Sequence, residues 1–320
     1  MTSLLISALM QGMIYAPMAL GVFLAFRILD TPDLTIDGSF VFGMTATAIV
    51  TIAGHPILAL FAGILAGGVA GLVTGFLQTK LQINPILSGI LTMTGLYSVN
   101  YAVLGGQSNR YLQGSTGESA ATIYKAFGVR MERLPGGKTI WTSDLTALIL
   151  TTSLVVIAVM ILAIFFKTRT GMAIRATGDN EEMVRSSSID ADATRIQGIV
   201  LANAMVALSG ALLCEQQSYA DLNCGTGMLV VGLASVIIGQ MLFGKKGVTV
   251  GLISAVVGSM LYRLVLQLAY KVDMPSYLVK LLSAVIVALA LVMPLLKRKN
   301  RERLSKKRRM GKAVSQEEKP

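Results

Sequence analysis

The sequence predicts an all-α, polytopic membrane protein. Of its 320 residues 53% are hydrophobic and only 14% charged, the mean hydropathy is +0.66, and the apolar residues come in long runs. A soluble globule of this size needs more polar side chains to cover its surface. Apolar runs occupy 3–26, 39–53, 57–77, 86–105, 144–166, 196–214, 228–243, 248–268 and 277–296, nine segments in all. Most have the length a helix needs to cross a hydrocarbon core.

The first run contains no charge, and the first basic residue, Arg27, follows it. A secretory signal would carry its positive charge ahead of the apolar stretch, so residues 3–26 read as a retained helix. At the other end, the tail 297–320 holds eleven Lys or Arg against three Glu. That charge predicts a cytoplasmic tail and, through nine spans, an amino terminus outside. The inner side then collects twenty basic residues, against six in outer loops (Arg110, Lys125, Arg130, Arg133, Lys138, Lys271). The tail has no interleaved aromatic residues, which favours topology and anionic lipid over nucleic acid as its role.

The second and seventh runs are related. Asp33-Leu-Thr35-Ile-Asp37-Gly-Ser39-Phe-Val41 aligns with Asp221-Leu-Asn223-Cys-Gly-Thr226-Gly-Met-Leu229 at an offset of 188, and Leu77-Gln78 with Leu266-Gln267 and Asn84-Pro85 with Met274-Pro275 follow at 189 and 190. Five spans separate the copies, an odd number, so the reading is two inverted halves, about 27–105 and 215–296. Inverted repeats place a solute path at their interface. Each short run is about fifteen residues, roughly 22 Å of helix against a core of about 30 Å, so neither is expected to cross alone. The polar residues leading into them, Asp33, Thr35, Asp37 and Ser39 with Asp221, Asn223 and Thr226, are the pathway candidates, expected on irregular backbone that lines a cavity. The competing role is capping, with Ser39 and Thr226 as N-caps of the two short helices.

Other features carry less. Gly63, Gly67, Gly71 and Gly75 recur every four residues and predict close helix packing, within the chain or against a second copy. Arg263 and Lys280 lie inside apolar runs; they could hold a solute carboxylate, pair with Glu215 or Asp221, or reach the headgroups. Cys214 and Cys224 leave a disulfide open. His55, the single histidine, sits in a Gly-His-Pro turn without metal-ligand spacing around it. Gly239 to Lys246 imitates a phosphate-binding loop but has Lys where the magnesium-binding hydroxyl belongs. The 106–143 loop carries Tyr111, Tyr124 and Trp141 and reads as either a docking surface or an interfacial loop, with Ser143-Asp144 as N-cap of the next span. With one His and no paired-carboxylate cleft, an enzyme is not expected.

Residues 167–195 contain a polar stretch between two membrane-length runs. The order Gly178-Asp-Asn180-Glu181-Glu182, then Arg185, suits a short helix outside the bilayer, acidic at its start and basic at its end. Gly171, Arg175, Ala176, Gly178, Asn180, Glu181 and Ile189 resemble the coupling loop of ATP-binding-cassette importer permeases of the branched-chain amino acid and ribose class. Gly12 to Gly21, the Asp33-Leu34-Thr35 and Gly38-Ser39 motif, and Gly227 to Gly239 resemble other parts of that class, and Pro32 to Phe40 resembles its tryptophan and tyrosine uptake branch. Phe243 to Gly247 and Ser186 to Ser188 depart from the family pattern.

The resemblance implies a permease domain over 1–296 in a bacterial plasma membrane. It also implies a second copy of the chain, an extracytoplasmic binding lipoprotein and a separate ATPase that holds ATP and Mg, with no cofactor in this chain. Arg175, Gly178, Asn180, Glu181, Arg185 and Ile189 would then form the ATPase coupling element. An ion-coupled carrier would explain the repeat but not the coupling loop, and a scaffold or lipid sensor would explain neither the loop nor the matched short runs.

Overall fold

The computed structural model describes residues 2–113, 120–126, 141–244 and 247–271, with 281, 284–288 and 292. Among them eight helices are long and apolar enough to cross a membrane. The elements are α1 (Thr2–Phe23), α2 (Thr35–Ile52), α3 (Pro56–Thr79), α4 (Pro85–Val103), β1 (Asn109–Tyr111), α5 (Ile123–Ala126), α6 (Trp141–Phe165), α7 (Arg169–Asp179), α8 (Glu181–Ser186), α9 (Ala191–Gln217), β2 (Tyr219–Asp221), α10 (Met228–Phe243) and α11 (Val248–Lys271). Eight of the nine expected segments thus have a helix. Most of the ninth, 277–296, and the tail lie outside the described residues, as do Met274, Pro275 and Lys280. The start of α6 at Trp141 puts Ser143 and Asp144 inside the helix, correcting the expected cap.

The centre of the bundle is α9, a 27-residue helix buried on most of its surface. Small residues let its neighbours approach. A Cβ on Gly71 would stand 2.8 Å from Ile199 O and Val200 Cα, and one on Gly75 3.1 Å from Ile196 Cα. Gly63 and Gly67 meet Ala211, Ala207 and Asn203 in the same way. The glycine ridge of α3 is therefore spent inside the chain, against α9. Gly43 of α2 packs on Ala207 and Gly210 of α9 on Phe40, and Ser39 bonds to Asn203 while Thr51 bonds to Glu215, so these two helices run in the same sense. α1 runs against them, with Gly21 on Ala202 and Val206 and the Ser209 hydroxyl donating to Ile14 O at 2.7 Å.

At one end of α9 the buried Glu215 accepts from the Thr51 hydroxyl and, at 2.7 Å, from Ile123 N–H, which fastens α5 to the bundle. There β1 pairs antiparallel with β2, Arg110 opposite Ala220. Both cysteines are free. At the other end, α1 gives way to a π-helical turn, Leu24–Ile28, under which α7 docks. Gly178 makes that docking possible: a Cβ there would collide with Ile28 O. His55 is exposed in the turn before α3, as expected.

Candidate functional site

Five of the seven pathway candidates, Asp33, Thr35, Asp37, Ser39 and Thr226, lie where α2 and α10 begin, whereas Asp221 ends β2 beside Met44, farther along α2, and Asn223 is exposed. Asn203 fixes the depth of this junction, being residue 13 of the 27 in α9. Its amide donates to Asp33 Oδ2 at 2.7 Å and to Ile199 O at 3.0 Å, and its Oδ1 accepts from the Ser39 hydroxyl at 2.6 Å. Asp33, Ser39 and Asn203 are all fully buried. A buried carboxylate needs such partners, since desolvation would otherwise penalise its charge. Thr35 joins the other side, 2.7 Å from the Thr74 hydroxyl of α3. α2 therefore starts at half the height of α9 and runs toward the Glu215 end.

The chain returns to this level after α9. Asp221 N–H lies on Met44 Sδ, Gly225 packs on Asp37 O and Val41, and Gly227 N–H donates to Asp37 Oδ2 at 2.9 Å. The 3₁₀ turn Leu222–Gly225 thus descends along α2. α10 then leaves in the opposite direction, reaching Arg27 and Arg175 with Gln240 and Gly244. The two N-termini face one another, and Asp37 serves both. It sits in the first turn of α2, and its Oδ1 also accepts from Leu229 N–H at 2.7 Å. Each helix start carries roughly half a positive charge and unpaired N–H groups, which this carboxylate answers.

Two sequence expectations change here. Thr35, Asp37 and Ser39 are helical, because α2 begins at Thr35 and extends to 18 residues, roughly 27 Å at about 1.5 Å per residue. Ser39 and Thr226 are not the caps. Ser39 points to Asn203, and α10 starts after Gly227, whose φ of 84° suits glycine, with Asp37 supplying the cap from another helix. The two motifs share one local turn, Asp33 Oδ1 accepting from Thr35 N–H at 2.9 Å and Asp221 Oδ1 from Asn223 N–H at 2.8 Å. Arg263 pairs with neither Glu215 nor Asp221. Its guanidinium lies 3.4 Å above the Tyr15 ring, which stacks on Phe40.

Beside the junction, Asp37, Gly38, Val41, Met93, Thr94, Tyr97, Asn100, Leu222, Gly225 and Thr226 surround a cavity of about 320 Å³. Asn100 is held in place by the Thr45 hydroxyl, 3.1 Å from its Oδ1. Among the described residues no group of His, Cys, Asp and Glu could hold a metal ion.

The 167–195 segment forms α7 and α8 with Asn180 between them. Asn180 caps α8, its Oδ1 accepting from Met183 N–H at 3.0 Å, and Glu181, Glu182 and Arg185 fall where a helix dipole favours them. Glu181 accepts from Arg185 and from Arg195, each at 2.9 Å, and Arg185 also reaches Asp192 at 2.6 Å. Glu181, then Asp192, hold the Arg185 guanidinium above its ordinary pKa. Arg195 also donates to the Thr31 hydroxyl at 3.4 Å, two residues before Asp33. Arg175 lines a separate cavity of about 210 Å³ with Arg27 and Asp179, and Ile189 is exposed. Sequence reasoning missed Asn203 and Arg195. An amide in the middle of an apolar run was the available signal for Asn203; nothing local marked Arg195 as the link to Thr31.

A bundle of membrane-length helices, two of which start at half the height of α9, defines a multi-pass membrane protein. The chain belongs to the family described as the permease component of branched-chain amino acid transport systems, whose model matches residues 4–291. It is 32% identical over 284 residues to the tyrosine transport system permease protein of Clostridioides difficile, covering 88% of each chain. It is 32% identical to the uncharacterized protein RP368 of Rickettsia prowazekii, over 75% of this chain and 78% of that one. The ribose import permease protein RbsC of Escherichia coli is 26% identical, over 76% of this chain and 71% of that protein.

Proposed function

We propose that the chain is the membrane-spanning subunit of an ATP-binding-cassette importer, forming the path for a small solute, an amino acid, that a binding protein delivers. The family match over residues 4–291 carries this reading, and the likeness to a tyrosine permease favours an amino acid, aromatic ones included, over a sugar. The solute path is the junction of Asp33, Thr35, Asp37 and Ser39 with Asp221, Asn223 and Thr226. A separate ATPase binds ATP and Mg and docks on α7 and α8, on the cytoplasmic side together with the basic tail. Arg175, Gly178, Asn180, Glu181, Arg185 and Ile189 form its contact and coupling element.

Two observations support a mechanism. The Glu181–Arg195–Thr31 contacts lead from α8 to the loop that carries Asp33, and β1, in the outer loop, is paired with β2, which leads to the start of α10. Movement imposed from either side arrives at the same junction. The halves related by the repeat would rock about it, the ATPase driving one lever and the binding protein the other. Thr94, Tyr97 and Ser98 are exposed along α4 near the cavity. Polar side chains there suit a second permease copy better than lipid tails.

The test is co-purification of the tagged chain in detergent followed by transport in proteoliposomes. An ATPase and a lipoprotein should accompany it, and uptake should require ATP. Reversing Glu181 and Glu182 to Lys should leave membrane insertion intact and separate ATP hydrolysis from uptake. Unchanged uptake in that variant, or ion-driven uptake by the chain alone, overturns the assignment.

A further inference from the structure

We infer that the cavity beside Asp37 recognises a primary ammonium group on a solute with an apolar body, with Asp37 as the counter-ion. The inference deepens the reading of the junction as the solute path and rests on it.

Asp37 lies at half the height of the bundle yet remains partly exposed, and the space it borders is this cavity. Each of its oxygens accepts one backbone N–H, from Gly227 and from Leu229. A carboxylate has about four acceptor positions, so two remain. The α10 N-terminus offsets roughly half of its charge, and among the described residues that line the cavity none is Lys, Arg or His. The site therefore keeps a net negative potential and suits a cation.

The remaining walls decide what kind of cation. Val41, Met93 and Leu222 present apolar surface between Asp37 and the outer end. Asn100 closes that end. Its Oδ1 is taken by Thr45, which is eight residues beyond Asp37, or roughly 12 Å along α2 at about 1.5 Å per residue. Thr94, Tyr97 and Thr226 also line the cavity, but a polyol's hydroxyls would find no partner on the Val41, Met93 and Leu222 wall and would leave that apolar surface unmatched. A carboxylate or phosphate without an ammonium group would meet Asp37 with like charge. An amine attached to an aliphatic or aromatic group satisfies both the charge and the wall.

The test uses the permease in lipid nanodiscs and four probes: phenethylamine, L-phenylalanine, 3-phenylpropionate and D-xylose. Equilibrium dialysis should show saturable binding of the first two at millimolar concentration and none of the others. Asp37→Asn loses the charge and keeps one of the two oxygens that accept from the Gly227 and Leu229 N–H groups, so phenethylamine affinity should fall by at least about tenfold. Val41→Phe fills the cavity without touching the cap and should also weaken binding. Equal binding of 3-phenylpropionate or D-xylose, full binding by Asp37→Asn, or no binding of phenethylamine overturns the inference. Partner co-purification is scored on the same preparation. ATPase assembly without amine selectivity removes this inference alone; amine binding without any ATPase removes the importer reading and leaves the site.

Discussion

Asn203→Ala tests whether the junction is held by its buried polar network. The substitution removes one hydrogen bond to a carboxylate, at 2.7 Å from Asp33, and the acceptor of the Ser39 hydroxyl, at 2.6 Å. A hydrogen bond to a charged group contributes about 1.5–3 kcal/mol and a neutral one about 0.5–1.5. Interhelical hydrogen bonds in membranes average nearer 0.6 kcal/mol, because the separated helices find other partners. Both groups here are fully buried, so a total of about 2 kcal/mol is expected. SDS titration in mixed micelles followed by far-UV circular dichroism measures it. In an Asp33→Ala, Ser39→Ala background the same substitution should cost under about 0.5 kcal/mol, since the partners are already gone. An equal cost in both backgrounds would mean that packing of α9, not the network, holds the start of α2, and would refute the reasoning.

Other outcomes follow from the same contacts. Arg195→Gln breaks the bridge to Glu181 and the contact to Thr31; because the pair is partly exposed, stability should fall by no more than about 1 kcal/mol. Solute transported per ATP, measured in proteoliposomes with the ATPase, should nevertheless drop several-fold, and parallel losses of hydrolysis and uptake would contradict this. Gly71→Val meets Ile199 O and Val200 Cα at 2.8 Å or closer and should cost at least about 1–3 kcal/mol in a detergent melt, whereas Gly95→Val, with nothing within 4 Å of its Cβ, should be close to neutral. Glu215→Ala frees Ile123 N–H, so exchange of that amide with solvent deuterium should speed up by about tenfold, the effect of roughly 1.4 kcal/mol.

Much of the fold was legible because a membrane imposes a simple demand on sequence. Apolar run length placed eight helices, the glycine spacing of α3 announced a close neighbour, and the charge order from Asn180 to Arg185 matched α8 and its cap. Lost in the sequence was partnership. Ser39 is a good cap by residue type, yet it bonds to Asn203, 164 positions away. Asp37 belongs to α2 by position, yet it caps α10, 190 positions on.

By itself, then, the sequence determined an all-α membrane protein and the polar segment that forms α7 and α8, because burial of apolar side chains and helix-end electrostatics are local requirements. Tertiary structure alone decided that α2 and α10 start face to face at half depth, that one carboxylate serves both helix ends, and that Arg195 joins α8 to the loop before Asp33. Those contacts depend on which surfaces the close glycine packing around α9 brings together, and no local pattern of residues encodes that choice.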